Sequence, residues 1–183
     1  MKTIIYLISA SFLLIAAFIA FRILFRNDYS RKRKLSPLSI LIGTLIYFLW
    51  GGFPFIYGPS DWPAVHINSI LETIGWIALW GGVVVMLIGI GWLGFFRTLG
   101  QKQDILKQTG LYRLSRNPQV VGCIIYGLGF ALLWPSWYVI GWIGLILAIT
   151  HMMVLTEEKY LYNVFGEDYK QYCKRVPRYI IKS

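Results

Sequence analysis

The sequence predicts an all-α, polytopic membrane protein with about five transmembrane helices and a helical C-terminal tail on the cytosolic side. Three observations lead there. Apolar residues make up 57% of the 183 and charged residues only 14%, with a mean hydropathy of +0.59, whereas a soluble domain carries about 25% charged residues. The charge is missing in blocks, which leaves apolar runs close to the ~20 residues that cross a bilayer. The Lys and Arg residues behind the net charge of +10 gather on alternate connections between those runs. Basic residues beside apolar runs meet anionic headgroups and set topology, so membrane lipids rather than nucleic acid are the expected partners.

Each element has its own reason. Residues 3–21 are apolar apart from small hydroxyls and form the first span. The apolar core is too long for a signal peptide and is followed, not preceded, by the basic cluster Arg22, Arg26, Arg31, Lys32, Arg33 and Lys34. Residues 38–57 form the second span. The connection at 54–63 is rich in Pro, Gly and aromatics, has no Lys or Arg, and suits a membrane interface; His66 follows it. The third span covers 73–96, with Glu72 at its outer end. Residues 97–117 are polar with five basic residues. A fourth span at 118–134 and a fifth at 137–155 are joined by Pro135-Ser136, room for a tight hairpin only. Residues 156–183 form a polar, aromatic and basic tail. The basic clusters follow spans one, three and five, so the N-terminus is expected outside and the 97–117 segment and the tail in the cytosol. The chain thus divides into a three-span region, 1–96, and a region of denser polar features, 97–183.

Three groups in the second region could carry chemistry. The first is Gly110-Leu-Tyr-Arg-Leu-Ser-Arg-Asn-Pro-Gln-Val-Val-Gly122. Asn117 reads as an N-cap and Pro118 as the first helical residue. With Arg113 and Arg116 just before it, the helix start suits an anion. The same residues also serve as a plain cap and topology signal. The second is Thr156-Glu157-Glu158, two acids directly after an apolar span, where acids are costly and often functional. His151, Glu158 and Tyr162 fall on one helix face; as a solvated helix end, the acids would simply pair with neighbouring cations. The third is Phe165-Gly-Glu-Asp-Tyr-Lys-Gln-Tyr-Cys-Lys-Arg-Val-Pro-Arg178. Gly166 reads as a C-cap, Glu167 and Asp168 as the first turn of a short helix, and Val176-Pro177 as its stop. Tyr169, Tyr172 and Arg175 recur every three residues and are expected on one face, though an interfacial amphipathic helix has similar features. Cys123 and Cys173 form no disulfide framework, and neither histidine has a metal-ligand partner at useful spacing, so no metal is expected.

Taken in order, Gly-x-Tyr-Arg-x-x-Arg-Asn-Pro-x-x-x-Gly, an apolar hairpin, Glu-Glu, and Phe-Gly-x-x-Tyr-x-x-Tyr-x-x-Arg-Val-Pro-Arg resemble the isoprenylcysteine carboxyl methyltransferase and phospholipid methyltransferase superfamily. The resemblance covers about residues 100–180. It implies S-adenosylmethionine as methyl donor, bound at the cytosolic ends of the last two spans. It implies cofactor-binding roles for Arg116, Asn117, Pro118, Gly122, Glu157 and Glu158. With that site, the tail's spacing and the acceptor's charge lead to an expected catalytic group of Glu158, Tyr172 and Arg175, with Tyr169, Arg175, Arg178 and His151 towards the substrate. Two positions depart from the pattern: Asn117 stands where the family often has His, and Val120 where it usually has Tyr.

The implied acceptor is lipid-borne and enters from the bilayer. A carboxylate acceptor is ionised near neutral pH and needs only a cation such as Arg175 or Arg178 to orient it. An amine must lose a proton first, to a base such as Glu158 or His151. An isoprenylcysteine-type carboxylate leads, with a phospholipid amine as alternative. A sterol-reductase-like enzyme using NADPH and a non-catalytic scaffold stand as further alternatives. The expected location is a prokaryotic plasma membrane, or the endoplasmic reticulum if the source is eukaryotic.

Overall fold

The computed structural model describes residues 2–56, 68–101 and 104–180, and every regular element among them is helical. α1 (Lys2–Ile19) continues through a π-helical segment (Ala20–Phe25) into α2 (Arg26–Lys32). α3 (Pro37–Ile56), α4 (Ser69–Leu93) and the short α5 (Phe95–Thr98) follow. A single 3-10 turn (Gly110–Arg113) leads to α6 (Pro118–Leu133), α7 (Trp137–Phe165) and α8 (Glu167–Arg175). Thr3–Lys32, Ser69–Leu93 and Trp137–Phe165 are long and apolar enough to cross a bilayer, and Pro37–Gly51 and Pro118–Leu133 are shorter apolar helices. Large apolar side chains such as Phe12, Phe48, Ile77, Trp80 and Leu87 face outward. Such extensive exposed apolar surface suits lipid, not water. The fold is that of a polytopic helical membrane protein. Residues 57–63 of the aromatic connection and His66 lie outside the described residues.

Helix ends differ from the hydropathy boundaries where charge and helix propensity disagree. The first helix does not stop at Phe21 but carries Arg22, Arg26, Arg31 and Lys32 as further turns, because Arg and Lys are good helix formers. It ends where Arg33 turns left-handed, at φ 55°. Asp28 ties the next helix to it, accepting from Ser36 N at 2.8 Å and from the Ser36 and Ser39 hydroxyls. The fifth span also runs on, past Leu155 to Phe165, so that Glu157 and Glu158 sit inside a helix rather than at the start of a tail. Gly166 then takes φ +52°, ψ −121°, open to glycine but strained for other residues, and α8 starts behind it. α4 begins at Ser69, ahead of the expected start, with Asn68 Oδ1 accepting from Ile70 N at 2.9 Å and Glu72 in the first turn.

α4 and α6 share the most intimate contact. Gly75, Gly82 and Gly89 recur every seven residues on α4; Gly75 meets Gly129 and Gly82 meets Gly122 of α6, while Gly89 lies against Pro118 and Gln119. A Cβ placed on Gly122 would lie 2.7 Å from the Gly82 carbonyl oxygen, so the two backbones touch, the usual device where lipid offers no hydrophobic gain from helix contact. This pairing joins the regions before and after Arg97. α1, α3 and α7 form the other half of the bundle around Leu13, Ala17, Phe21, Ile46, Leu145 and Ile149. Trp50 stacks on Trp142 at 5.1 Å and its carbonyl accepts from Trp142 Nε1 at 3.1 Å.

The two ends of the bundle differ. At one, Thr3 and Tyr6 bond to Tyr138. At the other, Tyr160 donates to Arg33 O at 2.7 Å, Leu35 N to Gly100 O at 2.9 Å, and Arg116 N to Pro177 O at 2.9 Å. All three basic stretches therefore meet at a single end.

Candidate active site

The site is built where the start of α6, the last turns of α7 and the segment after α8 converge. Asn117 occupies the N-cap position and Pro118 the first helical position, as the sequence predicts, but the Asn117 side chain does not cap the helix. Its Nδ2 instead donates to Arg178 O at 3.1 Å. Ser115 Oγ donates to the same carbonyl at 3.2 Å and accepts from Asn117 N at 3.1 Å. With the Arg116–Pro177 backbone bond, these fasten residues 176–179 as a strap across the start of α6. The cap position follows the sequence, but the side chain's partner does not, because a local rule takes no account of a backbone carbonyl delivered from 61 residues downstream. Asn117 is buried, so Asn117→Leu should cost about 1–3 kcal/mol for the lost buried donor. Asn117→His, which keeps an N–H, should lose less. Melting in detergent reads this, and a Leu variant as stable as the parent would contradict the strap.

Glu158 is the hub under the strap. Its carboxylate takes Arg116 Nη1 at 2.9 Å on one oxygen and Arg178 Nη2 at 2.7 Å on the other, with Arg178 Nε 3.1 Å from each. The hydrogen bonds that Arg178 donates to Glu158 hold its guanidinium above the usual arginine range. Arg116 Nη1 also reaches Cys173 Sγ at 2.6 Å, while its buried Nε has no hydrogen-bond partner. The trio keeps one net positive charge. Two turns below, His151 Nδ1 and Tyr179 OH are joined at 2.9 Å, so the face that carries His151 and Glu158 is the one the strap covers.

α8 sorts its residues differently from the three-residue reading. Tyr169, Tyr172 and Val176 are buried together, packed against Leu106, Leu161 and Phe165. Arg175 is exposed and donates to Gln108 Oε1 at 3.0 Å, off the tyrosine face. A three-residue step falls short of a 3.6-residue turn by about 60°, so Arg175 ends up about 120° from Tyr169, while Val176 returns to its face. Tyr172 OH donates to Tyr112 O at 2.6 Å. Tyr112 OH in turn lies 3.0 Å from Gln119 Oε1 and 3.4 Å from Gly89 O. Burial raises the pKa of Tyr112, Tyr169 and Tyr172, so their hydroxyls stay protonated, and those of Tyr112 and Tyr172 act as donors.

Three spaces adjoin these groups. A narrow chamber of about 30 Å³ is bounded by Arg116, Asn117, Gln119, Glu157, Glu158 and Tyr172, among others. An open cleft of about 600 Å³ lies on the strap side, against Arg116, Glu158, Tyr169, Cys173 and Arg178. A mostly apolar cavity of about 320 Å³ reaches into the bundle between Phe25, Tyr47, Met86, Val120, Thr150 and Met153. Gln119, Glu157 and Leu93 line both the narrow chamber and the apolar cavity. The adjacent acids therefore part: Glu158 faces the arginines, and Glu157, about 100° further round α7, stands at the neck. Val120, where the resembled pattern usually has Tyr, is part of the cavity wall, so the smaller side chain leaves room there. Gly122 faces Gly82 and Met86 in the α4–α6 contact.

Arg116, Asn117, Pro118, Glu157, Glu158, Tyr169, Tyr172, Arg178 and His151 are thus gathered at one end of the bundle, and Arg175 and Gly122 are turned elsewhere. Sequence reasoning passed over Ser115, Tyr179, Tyr112, Gln119 and Cys173. Tyr112 and Gln119 lay within the quoted motif, but their mutual bond is a tertiary fact.

A helical membrane protein with a charged site at one end of the bundle and an apolar chamber beside it is a recognisable class. The phospholipid methyltransferase family profile matches residues 71–168 of this chain, and the chain belongs to that family. It is 28% identical over 151 residues to the protein-S-isoprenylcysteine O-methyltransferase of Schizosaccharomyces pombe, covering 76% of this chain and 64% of the relative. It is 27% identical over 125 residues to the cobalt-zinc-cadmium resistance protein CzcN of Cupriavidus metallidurans, covering 68% of this chain and 55% of that one. The chain therefore spans less than two thirds of either curated relative. No solved structure matches it.

Proposed function

We propose that the chain is a membrane methyltransferase that uses S-adenosylmethionine on a lipid-borne acceptor, an isoprenylcysteine-type carboxylate, with its basic end in the cytosol. One observation carries this reading: a polar space walled by Arg116, Glu158 and the α8 tyrosines meets an apolar cavity at a neck formed by Gln119, Glu157 and Leu93. The donor fits the residues present. Its carboxylate suits the net positive Arg116–Glu158–Arg178 trio and the unpartnered Arg116 Nε, and the faces of Tyr169 and Tyr172 suit a sulfonium. The open cleft falls within the range of small-molecule sites, about 300–1,000 Å³; it shares Arg116, Glu158 and Tyr169 with the narrow chamber, which is too small for the donor by itself and lies between the cleft and the apolar cavity. When bound, the donor supplies a sulfonium methyl that a carboxylate oxygen takes in line, leaving a neutral thioether. The chain's part is to align the two across the neck, where positioning supplies much of the rate. The apolar cavity takes the lipid portion and excludes water.

A second reading, a lipid amine, is favoured by Glu157: the cavity wall has this acid and no Lys or Arg among the described residues, and Glu157 would serve as base. The test uses purified protein in nanodiscs with methyl-labelled donor and either S-farnesyl-N-acetylcysteine or phosphatidylethanolamine. A base-labile methyl ester on the first supports the carboxylate reading, and a base-stable N-methyl product on the second supports the amine. Failure to bind S-adenosylhomocysteine would overturn both, and stabilisation by NADPH in its place would point to a reductase.

A further inference from the structure

We infer that Gln119 is a specificity-determining residue, whose amide N–H group donates to an oxygen on the acceptor's head group at the neck between the two chambers. The inference rests on the methyl-transfer reading and adds to it the group that reads the nucleophile.

The argument starts from position. Gln119 is the second residue of α6, directly after Pro118, and its side chain lines both chambers. It is the one side-chain amide in the wall of the apolar cavity among the described residues. The amide is oriented. Tyr112 OH donates to Gln119 Oε1 at 3.0 Å, the shorter of its two acceptor contacts, the other being Gly89 O at 3.4 Å. With Oε1 engaged, the part left to meet a ligand is the N–H₂ group, a donor.

The orienting tyrosine is itself fixed. Tyr112 is 4% exposed, sits on the 3-10 turn Gly110–Arg113, and receives the Tyr172 hydroxyl on its carbonyl at 2.6 Å. The relay thus runs from α8 through the turn to the neck, and the tail sets the direction of an amide it does not touch.

The chemistry of the neck gives this direction a consequence. Glu157 adds a carboxylate there; Lys107 and Arg116 line the narrow chamber on one side, and no Lys or Arg lines the apolar cavity on the other among the described residues. A head group bearing an anionic oxygen finds its side-chain amide donor in Gln119. An ammonium gains nothing from that N–H₂ and would prefer an acid in its place. A site that hydrogen-bonds one head group rejects the analogue that leaves its donor unpaired.

The test compares two probes that differ only in the head: 3-(farnesylthio)propionate, a carboxylate, and S-farnesylcysteamine, an amine. Binding of each to the full-length protein in nanodiscs is titrated alongside S-adenosylhomocysteine, and turnover is measured where it occurs. Gln119→Glu keeps the shape and exchanges a donor for a negative charge. It should weaken the carboxylate probe by about ten- to hundred-fold and strengthen the amine probe, so that the order of the two affinities reverses. Tyr112→Phe removes the orienting hydroxyl and leaves Gln119 in place. It should narrow the carboxylate preference without changing S-adenosylhomocysteine binding, an outcome that a role confined to packing would not give. An unchanged preference between the probes in both variants overturns the inference. A parent that selects the carboxylate yet binds no S-adenosylhomocysteine would overturn the methyltransferase reading and leave Gln119 standing.

Discussion

Glu158→Gln is expected to destabilise the protein by about 3–5 kcal/mol, the range for breaking a buried ion pair from one side. The substitution keeps the shape but removes the charge and turns one acceptor oxygen into an N–H₂ donor facing an arginine, so ion pairing and hydrogen bonding are lost together. The Arg116 side chain is 9% exposed and Glu158 13%, so water cannot replace the missing carboxylate at Arg116. Arg178, at 31%, can turn outwards, and the strap would detach with it. The check is a melting curve in detergent with titration of S-adenosylhomocysteine. A second substitution separates charge from packing: adding Arg178→Gln removes one of the two like charges and should recover part of the loss. If Glu158→Gln melts with the parent, the trio contributes nothing to holding the tail.

Gly122→Val should be comparably damaging, for a steric reason. The new side chain would enter the backbone of α4, where a Cβ alone already comes within 2.7 Å of Gly82 O and Met86 N. Those are main-chain atoms and cannot rotate away. Overpacking typically costs about 1–3 kcal/mol, and a β-branched side chain against backbone belongs at the top of that range. Gly81→Val is the matched control, because a Cβ there meets nothing within 4 Å. Yield and melting temperature should fall for the first and hold for the second. Equal behaviour would mean that α4 and α6 are not in backbone contact.

The sequence disclosed what depends on composition and local chemistry. The apolar runs gave the helices, Pro135-Ser136 the hairpin, and Gly166 with Glu167 and Asp168 the start of α8. It disclosed less where a polar stretch stays helical. Residues 156–165 continue α7 because Glu, Lys and Leu favour helix, a preference that a hydropathy boundary ignores. The site was legible as a set of residues and not as a set of bonds. Asn117 looked like a cap because its neighbours in sequence were visible and Arg178 O was not. Arg175 looked like part of the tyrosine face because a three-residue spacing is close to a turn without being one. The Tyr172–Tyr112–Gln119 relay left no periodic trace, since each link joins a different element.

The π-helical segment at Ala20–Phe25 acts as a phase shifter. Ala17, Phe21 and Phe25 are buried at four-residue steps, a spacing that would drift by about 40° per step in a regular α-helix. The wider turn absorbs the drift and delivers α2 in a rotational setting where Tyr29 stacks on Tyr160 at 4.2 Å and Asp28 holds Ser36. Chain length here thus encodes an angle. Losing a single residue from this stretch would barely alter its greasiness, yet would swing the basic end of the helix by about 100° and uncouple it from α7. Point substitutions of similar size would leave that angle untouched.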